Sequence, residues 1–82
     1  MSKTMDMTIA TPEGVIFNGK VESAKFPGVS GSFTVLPRHA AIISALAAGK
    51  VSYTQQGVPT EITIQGGFVE VKKDVISTCV EV

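Results

Sequence analysis

The amino-acid sequence predicts an all-β protein, a flattened antiparallel β-sandwich or barrel of about ten short strands. Two observations carry that expectation. Eight glycines and four prolines are spread along 82 residues, and such punctuation marks short segments joined by turns. Between these breaks, apolar and polar residues alternate at period two, the spacing of a strand with one buried face. Two facing layers bury one such face per strand.

In chain order, Met5, Met7 and Ile9 alternate with Asp6, Thr8 and Ala10, which predicts a first strand with its methionines in the core. Pro12-Glu13-Gly14 turns the chain into Val15-Ile16-Phe17. Asn18-Gly19 then predicts a type I′ hairpin, because both residue types accept positive φ. Residues 21–26 make the next strand. A six-residue loop, Pro27-Gly28-Val29-Ser30-Gly31-Ser32, leads to a strand at Phe33-Thr34-Val35-Leu36. Residues 40–46 allow a helical turn or a short strand, and the β-branched pair Ile42-Ile43, with Gly49 close behind, favours the strand.

The second half is more regular. Val51 and Tyr53 alternate with Lys50, Ser52 and Thr54, and Gln55-Gln56-Gly57-Val58-Pro59 supplies a turn. Ile62 and Ile64 alternate with Glu61, Thr63 and Gln65, and Gly66-Gly67 breaks the run. Val69 and Val71 alternate with Glu70 and Lys72, and Lys73-Asp74 makes the next turn. Ile76, Thr78 and Val80 face one way, with Val75, Ser77 and Cys79 facing the other. Strands joined so closely form an antiparallel meander.

Size and composition exclude several functions. At 8.6 kDa the chain makes one domain, residues 1–82, burying about 62% of its unfolded surface. Neither a second lobe nor a large catalytic cleft is expected. Seven Lys and Arg balance seven Asp and Glu, whereas a nucleic-acid binder needs a cationic excess to neutralise phosphates. The lone Cys79 makes no internal disulfide, so a reducing compartment is expected. The first residues carry no apolar stretch, so no signal peptide is expected. Residues 40–48 are the longest apolar-rich run and contain Ser44, far short of the roughly 20 residues of a membrane span.

No residue pattern suggests catalysis. His39 is the single histidine and has no companion carboxylates or thiols at metal spacing. It also lacks a nearby nucleophile with an orienting acid, so it is read as a loop or interface residue. Cys79 is read as a buried, inert thiol. Gly66-Gly67 precedes a strand, whereas a phosphate cradle needs a helix N-terminus. A tight turn or close backbone approach is expected there. Lys72-Lys73 is read as a solvated turn. These readings predict a binding module with no catalytic residue, no metal site and no cofactor.

Certain segments go further when taken in order. Thr11-Pro12-Glu13-Gly14 leads to Phe17 and Gly19, and then to Gly31-Ser32-Phe33-Thr34-Val35-Leu36-Pro37-Arg38-His39-Ala40. Ile43-Ser44-Ala45-Leu46, Gly49-Lys50-Val51 and Gly66-Gly67-Phe68-Val69-Glu70-Val71 follow. The series resembles the epsilon subunit family of bacterial F-type ATP synthases, in its N-terminal β-sandwich domain, over nearly the whole chain.

The resemblance implies a non-catalytic rotor subunit at the foot of the central stalk. Such a subunit docks on subunit gamma and on the ring of c subunits, helping to couple proton flow to ATP synthesis. Gly28, Val29, Ser30, Gly31 and Ser32 match the loop that meets the c ring. Family members commonly carry an acidic residue where Ser32 stands, so the resemblance implies hydrogen bonding or another charge, such as Arg38, in its place. Thr11, His39, Ala40, Ala41, Ile42, Ile43 and Ser44 match the gamma-facing segments. The family's C-terminal pair of helices, which regulates the enzyme and in some members binds ATP, has no counterpart before Val82. No nucleotide is expected on this chain. The implied location is the cytoplasmic face of the bacterial plasma membrane, as a peripheral subunit without bilayer insertion. The competing expectation is a stand-alone cytoplasmic β-sandwich that binds a small molecule or peptide.

Overall fold

Alternation along most strands is realised directly in the computed structural model, which describes residues 4–82. Residues 1–3, where the reading for a signal peptide begins, lie outside the described residues. Nine strands run through the rest: β1 (Met5–Thr11), β2 (Gly14–Val21), β3 (Ser23–Gly28), β4 (Gly31–Val35), β5 (Ile42–Leu46), β6 (Gly49–Gln55), β7 (Val58–Ile64), β8 (Gly66–Lys72) and β9 (Val75–Glu81). The all-β expectation holds, and the ambiguous segment at residues 40–46 becomes the strand β5. One pairing departs from the antiparallel pattern, because β1 runs parallel to β9.

The strands form one hydrogen-bonded path, β2-β1-β9-β8-β5-β3-β6-β7, with β4 on the outside of β3. The path folds over at β3. Ser23, Ala24 and Lys25 pair with β6, whereas Gly28 alone pairs with β5, opposite Leu46. Flanking backbone bonds from Val29 to Ala45 and from Ala47 to Pro27 secure that corner. The strands β2-β1-β9-β8-β5 thus face β4-β3-β6-β7 across the core. The first group contributes Met5, Met7, Ile9, Val69, Val71, Ile76 and Val80, and the second Ala24, Phe26, Val35, Val51, Tyr53 and Ile64, all buried. At the open side, the rings of Phe17 and Tyr53 stack with centroids 4.3 Å apart. Beside them, Glu22 accepts hydrogen bonds from the backbone amides of Gln56 and Gly57 at 2.8 and 3.0 Å.

Several turns differ from expectation. Asn18-Gly19 makes no hairpin: the pair lies within β2, opposite Thr8 and Met7. The reversal comes earlier, at Pro12-Glu13, where the Thr11 hydroxyl accepts from the Glu13 amide and donates to the Gly14 carbonyl. This turn gives β1 a partner along its full length. A β-bulge at Ile16 then lets Phe17 reach the core side. Gly19 instead sits close to its neighbours: a Cβ there would stand 2.8 Å from Gln55 Nε2, the mobile end of a side chain, and 3.1 Å from the Phe17 ring.

The six-residue loop narrows to the two-residue turn Val29-Ser30, because Pro27 and Gly28 pair with Ser32 and Gly31. Likewise the turn after β6 is Gln56-Gly57 alone, both at positive φ. Pro59 belongs to β7, an edge strand, where a missing amide donor is tolerated. Gly66-Gly67 does not break the chain but opens β8, and its backbone crowds β9. A Cβ on Gly67, whose φ is +148°, would collide with the Cys79 carbonyl and the Val80 Cα. The close-approach reading is the correct one.

Two stability measurements test these constraints. Gly67→Ala forces β8 away from β9 and is expected to cost about 3 kcal/mol in urea unfolding. Gly57→Ala, with open space around it, is expected to cost about 1 kcal/mol through backbone strain alone. The second concerns pH. The backbone amides of Gly57 and then Gln56 hold the Glu22 carboxyl below its ordinary pKa of 4.5. A depressed folded-state pKa stabilises above the unfolded value and loses its effect as pH falls through the folded one. The difference in urea midpoint between the wild type and Glu22→Gln should therefore be full above pH 4.5 and shrink as pH drops below it; a gap that does not change with pH contradicts this assignment.

Candidate docking site

Gly28 ends β3, Val29 and Ser30 form the turn, and Gly31 and Ser32 open β4. This hairpin tip is compact because a Cβ on Gly28 would lie 2.6 Å from the Gly31 carbonyl oxygen. It displays Val29, 63% exposed, and its five residues carry no charge.

The other predicted residues do not form a single cluster. Thr11 stands at the end of β1, with its hydroxyl already used in the turn. That end of the sheet adjoins the hairpin tip, since Ala10 pairs with Cys79, Cys79 with Phe68, Phe68 with Ala45, and Val29 bonds to Ala45. His39, Ala40 and Ala41 lie at the opposite end of β5, next to the β8–β9 turn, where the Arg38 amide donates to Asp74 Oδ1 at 2.7 Å. The His39 amide donates to the Leu36 carbonyl at 3.0 Å, and its Nδ1 donates to the Ala40 carbonyl at 2.6 Å. The ring is therefore tied to its own loop.

Within β5 the alternation divides the candidates. Ile42 is half-buried against the core. Ser44 is half-buried too, with its hydroxyl donating to the Ala45 carbonyl at 3.0 Å. Ile43 is 75% exposed and is the residue of this set best placed to meet a partner.

The structure also adds residues the sequence reading left out. On the outer face, Ala45, Phe68, Cys79, Ala10 and Val15 are register partners across β5, β8, β9, β1 and β2. Phe68 is 55% exposed, and a groove of about 490 Å³ beside it is lined by Ala10, Pro12, Gly67, Phe68, Cys79 and Glu81. Cys79 is thus exposed rather than buried, because its strand turns Thr78 and Val80 inward. The signal for Phe68 was present in the alternation: with Val69 and Val71 inside, Phe68 had to be outside. Among the described residues, no three His, Cys, Asp or Glu side chains gather as a metal site would require. The ion pairs Lys20–Asp6 and Lys50–Glu61 are exposed and contribute at most about 1 kcal/mol each.

Residues 4–82 match the family model described as the ATP synthase delta/epsilon chain β-sandwich domain. The chain belongs to this family. Among curated relatives of the delta/epsilon domain, the ATP synthase epsilon chain of Desulforamulus reducens is 38% identical over 72 residues, covering 88% of this chain and 54% of the relative. That of Nitratiruptor sp. is 40% identical over 79 residues, covering 95% and 61%. The chain thus spans somewhat over half the length of these relatives. The delta/epsilon fold is also found in the cryo-EM structure of the Euglena gracilis mitochondrial ATP synthase OSCP/F1/c-ring assembly. One chain there superposes with a TM-score of 0.90 at 20% identity, covering 98% of this chain and 52% of that one. In the Tetrahymena thermophila mitochondrial ATP synthase central stalk and c ring, the TM-score is 0.79 at 17% identity, covering 99% and 65%.

The split within β5 is testable by denaturation. Ile43→Ser, at an exposed position, should change stability by less than about 0.5 kcal/mol. Ile42→Ser removes a core contact and should cost about 2 kcal/mol. Equal costs would mean that β5 presents its residues otherwise than described.

Proposed function

We propose that this chain acts as the non-catalytic, epsilon-type coupling element of a rotary ATP synthase. In this reading it docks on gamma and on the c ring and helps transmit rotation between proton flow and ATP synthesis. It does so as a peripheral subunit at the cytoplasmic face of a bacterial plasma membrane. The observation that carries the reading is the continuous family match over residues 4–82. The names of the bacterial relatives, ATP synthase epsilon chain, support it.

The resemblance supplies the roles, and the geometry of the two ends supports them. The uncharged tip, Gly28 to Ser32, meets the c ring through Val29 and through hydroxyl and backbone hydrogen bonds. The gamma contact centres on Ile43, flanked by Ala40 and Ala41, while Ile42 and Ser44 hold β5 in place from the inside. His39 shapes the approach to β5. Thr11, at the tip end, reaches gamma only if that partner extends along the whole outer face. No step of this role requires a nucleotide or a cofactor on this chain.

Pull-down with purified gamma from the same cell tests the reading. The wild-type chain should be captured stoichiometrically. Ile43→Glu should weaken capture by roughly tenfold or more, as burying an unpaired charge at a contact centre does, with an unchanged circular dichroism spectrum. A folded wild-type chain that gamma does not capture would overturn the proposal.

A further inference from the structure

The connection from β4 to β5 contains a strained turn whose support comes from a different loop. The His39 amide donates to the Leu36 carbonyl at 3.0 Å, so residues 36–39 close a β-turn with Pro37 and Arg38 at its centre. Arg38 has φ +69°. Proline second and a positive φ third define a type II turn, whose third position ordinarily takes Gly or Asn. Arginine is strained there, and such strain persists only where neighbouring groups hold it. One group does so directly. The Arg38 amide donates to Asp74 Oδ1 at 2.7 Å, a short bond to a carboxylate acceptor.

Asp74 is placed to reach that amide by its own turn. Lys72 and Val75 are register partners, so Lys73-Asp74 is a two-residue hairpin turn. Both residues have positive φ, +51° and +62°, the type I′ form that Asn-Gly adopts most readily. Aspartate at the position where glycine is usual adds a side chain that extends to the neighbouring loop. Its main chain is anchored as well, because the Asp74 carbonyl accepts from the Asp6 amide at 2.9 Å. Two strained turns therefore meet at one half-buried aspartate, which ties the start of β1 and the β8–β9 turn to the approach to β5. Leu36, Ala40 and Ala41 are exposed along that approach, and Ile43 follows them.

We propose that Asp74 is a positioning residue for partner docking. It contacts no partner itself, and it holds the backbone at Arg38 so that Leu36, His39, Ala40 and Ala41 are presented in one arrangement ahead of Ile43. The identity of that partner as gamma rests on the rotor reading, whereas the tie between the two turns rests on geometry alone. Without the tie the segment samples several conformations, and apparent affinity falls by the fraction that remains competent to bind.

The wild type is compared with Asp74→Asn and Asp74→Gly. Asparagine keeps an oxygen acceptor and tolerates positive φ. Glycine removes the acceptor and relaxes the turn, so a loss in that variant does not come from turn strain. In nuclear magnetic resonance of the isotope-labelled chain, Asp74→Gly should move the Arg38 amide proton upfield and speed its exchange roughly tenfold. Affinity for purified gamma, measured where circular dichroism shows all three forms folded, should fall roughly tenfold for Asp74→Gly. Asp74→Asn should stay within about threefold of the wild type in both readouts. A role in stability alone would lower the urea midpoint of Asp74→Gly and leave its gamma affinity at the wild-type value. That outcome, with the wild type captured, overturns this proposal and leaves the rotor reading standing. Equal weakening by Asn and Gly overturns it too, because the charge would then meet gamma directly. Unchanged Arg38 exchange in Asp74→Gly refutes the tie whatever gamma does. A folded wild type that gamma does not capture overturns the rotor reading, and the docking role of Asp74 falls with it.

Discussion

The change of partner along β3 is the constraint on which the other elements depend. Each strand has one apolar face, and a single flat sheet would leave every such face in water. The chain solves this by letting β3 serve both halves: its first residues pair with β6, and its last, Gly28, pairs with β5 at Leu46. Pro27 has no amide to donate, and Gly28 has no Cβ to obstruct Gly31, so the strand can bend there at little cost. Once it bends, the two groups of strands close over Met5, Met7, Phe26 and Ile64, and the stacked rings of Phe17 and Tyr53 lock the far side.

Closing the sheet also determines which surface remains for partners. Side chains directed away from the core on β5, β8, β9 and β1 are held in fixed register, so small residues and Phe68 become neighbours although far apart in sequence. The same corner fixes the hairpin tip beside that row, since the bond from Val29 to Ala45 belongs to both features. Core and outer row are therefore two faces of one ladder. A change in register would move every outward residue inward, disrupting both at once.

Much of this was legible in the sequence wherever period-two patterning acted without competition. Ile76, Thr78 and Val80 point inward as their spacing predicts, and so do Met5, Met7 and Ile9. Local turn signals were less dependable. Asn18-Gly19 is a strong hairpin pair by propensity, yet the longer ladder with β1 and the turn closed by Thr11 prevail over it. Gly66-Gly67 signals a special backbone position, but only the packing of β8 on β9 tells close approach from a turn. The parallel pairing of β1 with β9 joins residues nearly seventy positions apart, and no local pattern encodes it. The segments that the resemblance matches to gamma could be picked out along the chain, but their separation, with Thr11 at one end and His39 at the other, is a fact of topology. The Ala45–Phe68–Cys79–Ala10 row escaped notice for the same reason: its members meet only through strand order.

That parallel pair has a mechanical consequence. The start of β1 and the end of β9 lie at opposite ends of adjacent strands, joined by a ladder running from Asp6–Val75 to Ala10–Cys79. A pull between them slides one strand along the other, so the bonds of the ladder resist together. Had the two strands been antiparallel, the same pull would have opened the ladder one bond at a time, like a zip. β1 and β9 thus form a clasp that is strongest against a load applied between the start of β1 and the end of β9.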